Sequence, residues 1–243
     1  ISQHLQGRGC PHCKISGFRT NKPAQVYYLK IKYEDKFYYK IGITNRTYKE
    51  RYTLINLALV AQVAEGLKEL REKMVFIGGA VISLYTDDPA ADEIRPTTDI
   101  DMTINLANYA EWAKMQERLA ELNFYPDPEG QSICSYKYDK IAIDIMPAED
   151  SSIGISNTWY KPGFKNLQEI VLPAGIAINI LPFPYFLATK FEAFKDRGAN
   201  DFYGSHDFED IIYLLDNRTS IGEELINADI DVKEYIKKEY LFK

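Results

Sequence analysis

A glycine pair closes an apolar run at Phe76-Ile77-Gly78-Gly79-Ala80, and two aspartates then stand two residues apart in Thr97-Thr98-Asp99-Ile100-Asp101-Met102-Thr103-Ile104. No other feature of the chain constrains its fold as strongly. Strand side chains alternate faces, so Asp99, Asp101 and Thr103 are expected on one side and Ile100, Met102 and Ile104 toward a core. Two carboxylates held on one face are costly unless a cation stands between them. The glycines expose backbone N–H groups that suit a phosphate. Together these two words describe a site for a metal-bound nucleoside triphosphate.

A third carboxylate extends the pattern. In Lys140-Ile141-Ala142-Ile143-Asp144-Ile145-Met146-Pro147 the isoleucines alternate onto a buried side and Asp144 lies on the other. Three acids from neighbouring strands can cradle two divalent cations for phosphoryl-type transfer. A D-x-D word alone is often only a solvated strand terminus. The glycine turn before it and the strand-borne acid after it set this one apart.

The order of glycine turn, D-x-D strand and later strand aspartate resembles the polymerase-beta-like nucleotidyltransferases. From about residue 56 onward the chain is similar, more specifically, to the AbiEii/AbiGii-type toxin nucleotidyltransferases. The resemblance rests on FIGGAVISLY, TTDIDMTI, YDKIAIDIMP, LPFPYFLATKFEAFKDRG and SHDFEDIIYLLDNR, in that order. It implies an α+β fold, with a mixed sheet holding the acids and a helical C-terminal part covering the nucleotide. It also implies transfer of a nucleotide from an NTP to an acceptor, with Mg2+ or Mn2+ held by Asp99, Asp101 and Asp144. RNA, and the 3′ end of tRNA in particular, is the implied acceptor, and a separately encoded antitoxin the implied partner. The chain departs from the pattern in having Gly79 where many relatives carry Ser. The gap from Gly79 to Asp99 is also longer than in the most compact members; it holds an acidic loop from Asp87 to Pro96, and Arg95 within it is a candidate phosphate contact.

The stretch Pro184–Phe194 has helical spacing and is strongly apolar around Lys190. A lysine there must carry its charge out to water or meet an anion. The resemblance gives Lys190 the triphosphate. On a solvated stem its charge would contribute less than about 1 kcal/mol to folding. In Ser205-His206-Asp207-Phe208-Glu209-Asp210, Asp207, Asp210 and the later Leu214 fall along one helical stripe. The resemblance assigns the acid at the nucleotide cleft to Asp210, and Asp207 suits the first turn of a helix through the macrodipole.

Charge divides the chain. Residues 1–53 contain 11 Lys and Arg against 3 Asp and Glu, and the remainder 18 against 32. A boundary is therefore expected between a basic module at 1–53 and a nucleotidyltransferase domain at 54–243. A basic module of this size suits a phosphate backbone. Within it, Cys10 and Cys13 form a C-x-x-C word, and His4 could be a third zinc ligand. This segment resembles half of a zinc-binding module whose other half would precede Ile1. Val26–Ile31 and Phe37–Ile43 read as two strands of a small hairpin. With Tyr28, Tyr39 and Arg51 they resemble the opening of a GIY-YIG nuclease, but no room remains for that family's metal-binding glutamate, so a remnant is expected.

Three cysteines do not make a disulfide framework. No apolar run reaches membrane-spanning length and no signal peptide is recognisable, so a cytoplasmic enzyme without membrane contact is expected. The first residue is Ile, which places the expected start of the chain upstream. Further helices are expected over Leu57–Leu70 and, capped by Asn108, through Leu122. Two other functions stand beside the toxin: a small-molecule, antibiotic-type nucleotidyltransferase, and a non-enzymatic nucleic-acid-binding protein acting through its basic module.

Overall fold

The computed structural model describes residues 25–241 apart from 34–35, 45–51, 89–90, 92–93, 131, 150–155, 198–200 and 203, with side chains described from Asn56 to Glu239. The chain divides into two compact units, Ile1–Glu50 and Arg51–Lys243. In the first, β1 (Gln25–Tyr33) pairs antiparallel with β2 (Lys36–Thr44), Gln25 opposite Thr44 and Tyr33 opposite Lys36. The expected hairpin is present, and Tyr28 and Tyr39 lie in its strands. His4, Cys10, Cys13 and Arg51 fall outside the described residues, so the zinc and nuclease resemblances remain expectations.

The second unit opens with α1 (Tyr52–Gly66), whose Val60, Val63 and Ala64 are fully buried. The helix is shorter than expected: Lys68 takes φ 50° and a 3-10 segment, Lys68–Lys73, replaces its last turn. β3 (Met74–Ile77) follows, buried at all four positions, and then Gly78 and a 3-10 helix, Gly79–Tyr85. β4 (Asp99–Ile104) precedes α2 (Tyr109–Glu121). Asn108 caps α2 as expected, its side chain accepting from the Glu111 N–H at 3.1 Å, and Trp112, Met115 and Leu119 form the buried stripe. Next come β5 (Phe124–Pro126), β6 (Ser135–Tyr138), β7 (Ile141–Pro147), the single-turn α3 (Tyr160–Gly163), β8 (Gln168–Val171) and β9 (Ala177–Ile180). Four helices close the chain: α4 (Phe183–Arg197), α5 (His206–Asn217), α6 (Ile221–Asn227) and α7 (Ile230–Leu241).

The seven strands of this unit form one mixed sheet in the order β5-β6-β7-β4-β3-β9-β8. β4 is central, antiparallel to β3 and parallel to β7. In β7, burial alternates along the strand, with Ile141, Ile143 and Ile145 on the core face and Asp144 on the other. β4 follows the same alternation at its start but is buried from Met102 onward, so Thr103, on the face of Asp99 and Asp101, is covered. Its hydroxyl has no hydrogen-bond partner.

The first part of α4, 183–191, is buried on every side, while its end, Lys195–Arg197, is charged and exposed. Phe186 stacks on Tyr85 with ring centroids 4.0 Å apart, and the Tyr85 hydroxyl donates to the Leu181 carbonyl at 2.8 Å. Full burial of a side chain like Phe186 stabilises by roughly 1.5–3 kcal/mol. These contacts tie the 3-10 helix after the glycine turn to α4 and to the segment that leads into it. Among the described residues, no helix is long and apolar enough to cross a membrane.

Candidate active site

Strand register brings the acids together. Asp101 of β4 is the direct partner of Asp144 in β7, and Asp99 lies two residues earlier on the same face. A carboxylate oxygen from each of Asp99, Asp101 and Asp144 lies within 4.8 Å of the other two. Two hydroxyls orient the outer pair. Thr97 Oγ1 donates to Asp99 Oδ1 at 2.6 Å, and Ser135 Oγ donates to Asp144 Oδ1 at 2.6 Å. Burial pushes Asp101 up to about 7, and the neighbouring charges of Asp99 and Asp144 add to the rise against the opposing pull of Lys190 and Arg197. The positive charges of Lys190 and Arg197 therefore do not offset the burial of Asp101 and the repulsion from its two neighbours. An all-oxygen donor set of three carboxylates fits a hard divalent cation such as Mg2+ or Mn2+.

The glycine turn is built onto this cluster. Gly78 takes φ 71°, in the region that disfavours a Cβ, and an added Cβ would stand 1.9 Å from Asp101 Oδ2. Gly79 begins the 3-10 helix, and beside it stand the Arg95 guanidinium and the Thr97 side chain. The segment carrying them is fixed by Asn56 of α1, a buried residue that sequence reasoning passed over. Its side chain donates to the Arg95 carbonyl and accepts from the Thr97 N–H, each at 3.2 Å.

Facing the acids is a wall of charge from α4 and α5. Lys190 does not reach out to water. It is buried, and its Nζ donates to Asp210 Oδ2 at 2.7 Å and stands 3.7 Å from Asp207 Oδ1. The expectation of a solvated ammonium is therefore corrected: the partner anion is supplied from inside the protein. Asp210 Oδ2 also accepts from Arg95 Nη2 at 3.3 Å, so one oxygen holds two cations from separate elements. Arg197 Nε and Nη2 donate to Asp207 at 2.7 and 2.9 Å. Burial pushes the Asp207 carboxyl up, but those hydrogen bonds and the charges of Lys190, Arg197 and Arg95 outweigh it and hold it below the ordinary range.

Between strands and helices lies a cleft of about 990 Å³. The triad, Gly79, Lys190 and Arg95 all line it. Asp210 does not; it stands behind Lys190 and Arg95 as their anchor. Asp207 and Arg197 line the cleft as well, and sequence reasoning gave neither of them a place in it. Thr97, two residues before the D-x-D, and Ser135, opposite Asp144 in the next strand, were equally unassigned.

A mixed sheet with three clustered carboxylates beside a glycine turn, facing a lysine-bearing helix, defines a nucleotidyltransferase-like protein. The chain matches the family described as nucleotidyl transferase AbiEii toxin, Type IV toxin–antitoxin system, over residues 63–238, and belongs to that family. It is thus a nucleotidyltransferase of a toxin family, and membership implies a nucleotide substrate and an antitoxin partner. No curated protein matches the chain. Two solved structures of ANT(2″)-Ia are similar to it. The crystal structure in complex with adenylyl-2″-tobramycin is 15% identical, covers 76% of this chain and 99% of that one, and has a TM-score of 0.48. The solution structure of this antibiotic-resistance factor is 14% identical, covers 78% and 95%, and has a TM-score of 0.48.

Proposed function

We propose that the protein transfers a nucleotide from an NTP to an RNA acceptor in a metal-dependent reaction, with the 3′ end of tRNA as the favoured acceptor. The observation that carries it is the opposition, across one cleft, of three carboxylates within 4.8 Å of one another and the cations Arg95 and Lys190. Asp99, Asp101 and Asp144 would hold the metal. A divalent cation there neutralises charge on the triphosphate and stabilises the attacking and leaving oxygens. The N–H groups of the Gly78-Gly79 turn and the Lys190 ammonium bind phosphate oxygens, and Asp210 keeps Lys190 aimed at them. The acceptor hydroxyl oxygen bonds to the α-phosphorus, the bond to the β-phosphate oxygen breaks, and pyrophosphate leaves. The hydroxyl proton passes to the Asp144 carboxylate, which Ser135 orients through Oδ1.

A small-molecule acceptor is the second reading. Asp127 and Glu129 stand on the cleft wall next to Ser135; Lys137 pairs with both, at 2.9 and 3.0 Å, and a cationic, antibiotic-like acceptor would have to share them with it. One experiment addresses both. Purified protein with magnesium and each α-labelled NTP in turn is offered total RNA or an aminoglycoside panel. Label in RNA supports the first, label in the small molecules alone supports the second, and label in neither sinks both. The basic module at 1–53 is proposed to assist a large RNA acceptor by contacting its phosphates.

A further inference from the structure

Arg197 lines the cleft and has no role in the reaction outlined above. Its side chain is 73% exposed, yet its guanidinium is not free to wander. Both of its bonds to Asp207 run to a carboxylate that is itself only 6% exposed. A guanidinium gripping a carboxylate this way uses two of its five N–H donors and keeps three for a second anion. Lys190 and Arg197 are seven residues apart on α4, two helical turns, and so share a face. Both converge on Asp207 from α5, Lys190 at 3.7 Å from the same Oδ1 that accepts from Arg197 Nη2. An acid that merely favoured the start of α5 would need neither burial nor a paired arginine.

We propose that Arg197 is a further triphosphate-binding residue, and that Asp207 is a positioning residue that presents Lys190 and Arg197 together as a clamp on the phosphates. The clamp rests on the cleft being the NTP site. The triad would grip the triphosphate from the strand side and the clamp from the helix side. Asp207 touches no substrate; it sets where the two cations stand.

Calorimetric titration of the full chain, with magnesium, tests this using the tightest of the four ribonucleoside triphosphates, inorganic tripolyphosphate and the matching nucleoside monophosphate. Arg197→Met should weaken NTP and tripolyphosphate binding by about tenfold or more while changing monophosphate binding less than about twofold. Arg197→Lys should restore part of the loss. Asp207→Asn gives the sharper contrast. If Asp207 were only background charge, removing a negative group near a polyanion would strengthen NTP binding. As a positioning residue its loss should instead weaken NTP binding by at least about fivefold. If Asp207→Asn proves unfolded, the Arg197 variants, on an exposed side chain, decide alone. Equal NTP affinity in Arg197→Met and the unsubstituted chain overturns the clamp. Absence of binding by the unsubstituted chain to every NTP overturns the NTP site itself, and the clamp with it.

Discussion

The Asp101 carboxylate lies directly against the bare backbone of Gly78, so closely that a Cβ on that glycine would stand 1.9 Å from Oδ2. The glycine turn and the central acid of the triad are therefore one steric unit. Gly78 is excluded from substitution twice over, by this contact and by its φ of 71°. Gly79 is not, because an added Cβ would meet its nearest neighbours, Arg95 and Thr97, at 3.6 and 3.7 Å, ordinary packing distances.

Gly78→Ala should consequently displace Asp101 as well as strain the turn. Transfer is expected to fall by about 100-fold or more, since misplacement of a reacting group by 1 Å can cost that much. The melting temperature should drop by several degrees, while Gly79→Ala should melt no lower than the unsubstituted chain and up to about 4 degrees higher, since alanine at a compatible φ stabilises by about 0.4–1 kcal/mol. Differential scanning calorimetry and the transfer assay check both. Full activity in Gly78→Ala would show that the turn and Asp101 are not coupled.

The pH dependence of folding follows from Asp101. Its value rises from an ordinary 3.8 to about 7 in the folded chain. Between those values Asp101 holds its proton in the folded state and not in the unfolded one, so its contribution to stability falls as pH rises across that window and is lowest above it. Asp101→Asn removes the ionisable group and should melt higher than the unsubstituted chain near pH 8, with the gap closing toward about pH 4. Magnesium should raise the melting temperature of the unsubstituted chain near pH 8 more than that of the variant. Transfer should fall by about 10³-fold or more in Asp101→Asn and in Asp99→Asn. Matching melting curves across the whole pH range would remove the buried-acid account.

What could be read from the sequence was whatever depends on local pattern. Ile141, Ile143 and Ile145 alternate with Asp144, and the parallel register to β4 then places Asp144 beside Asp101. Asn108 announced its helix by type and position. Thr103 shares the face of Asp99 and Asp101 as alternation predicts, but alternation does not say what covers a face; both faces are buried by that point in β4. The short β5 and α6 carry too few residues to show a period, and neither was expected. The charged wall was hidden for a different reason. Arg95 and Asp210 are 115 residues apart and Lys190 and Asp210 are 20 apart, so only the tertiary fold reveals that the anion met by Lys190 is a buried aspartate.

The two-unit division predicts that a chain beginning at Arg51 folds and retains transfer, because every residue assigned to the cleft lies at Arg51–Lys243. Circular dichroism melts and transfer to a short acceptor should match the full chain within about threefold. Use of a long RNA should become weaker and less sensitive to salt, as expected when basic residues that contact phosphates are removed. Loss of transfer to every acceptor in a folded truncated chain would place part of the active site in Ile1–Glu50.

Burial of Lys190 changes what its removal should do. Lys190→Met retains the stem but leaves Asp210 and Asp207 without their shared cation; Arg95 still faces Asp210 and Arg197 still faces Asp207. Breaking a buried pair by removing one partner costs about 3–5 kcal/mol, and the surviving arginines should hold this case near the lower end. Asp210→Asn should cost less, because the Lys190 ammonium keeps its contact with Asp207 at 3.7 Å. The double variant should be less destabilised than the sum of the two by roughly 1–3 kcal/mol, which is the coupling expected of residues in direct contact. Binding separates from stability. Lys190→Met should lower NTP affinity by about tenfold or more, and Asp210→Asn by less, because its ammonium is misaimed rather than lost. Urea unfolding and NTP titration of the four proteins measure both quantities. Additive stabilities would show that the 2.7 Å contact contributes nothing to folding, and unchanged affinities would leave the phosphates to the glycine turn and the triad.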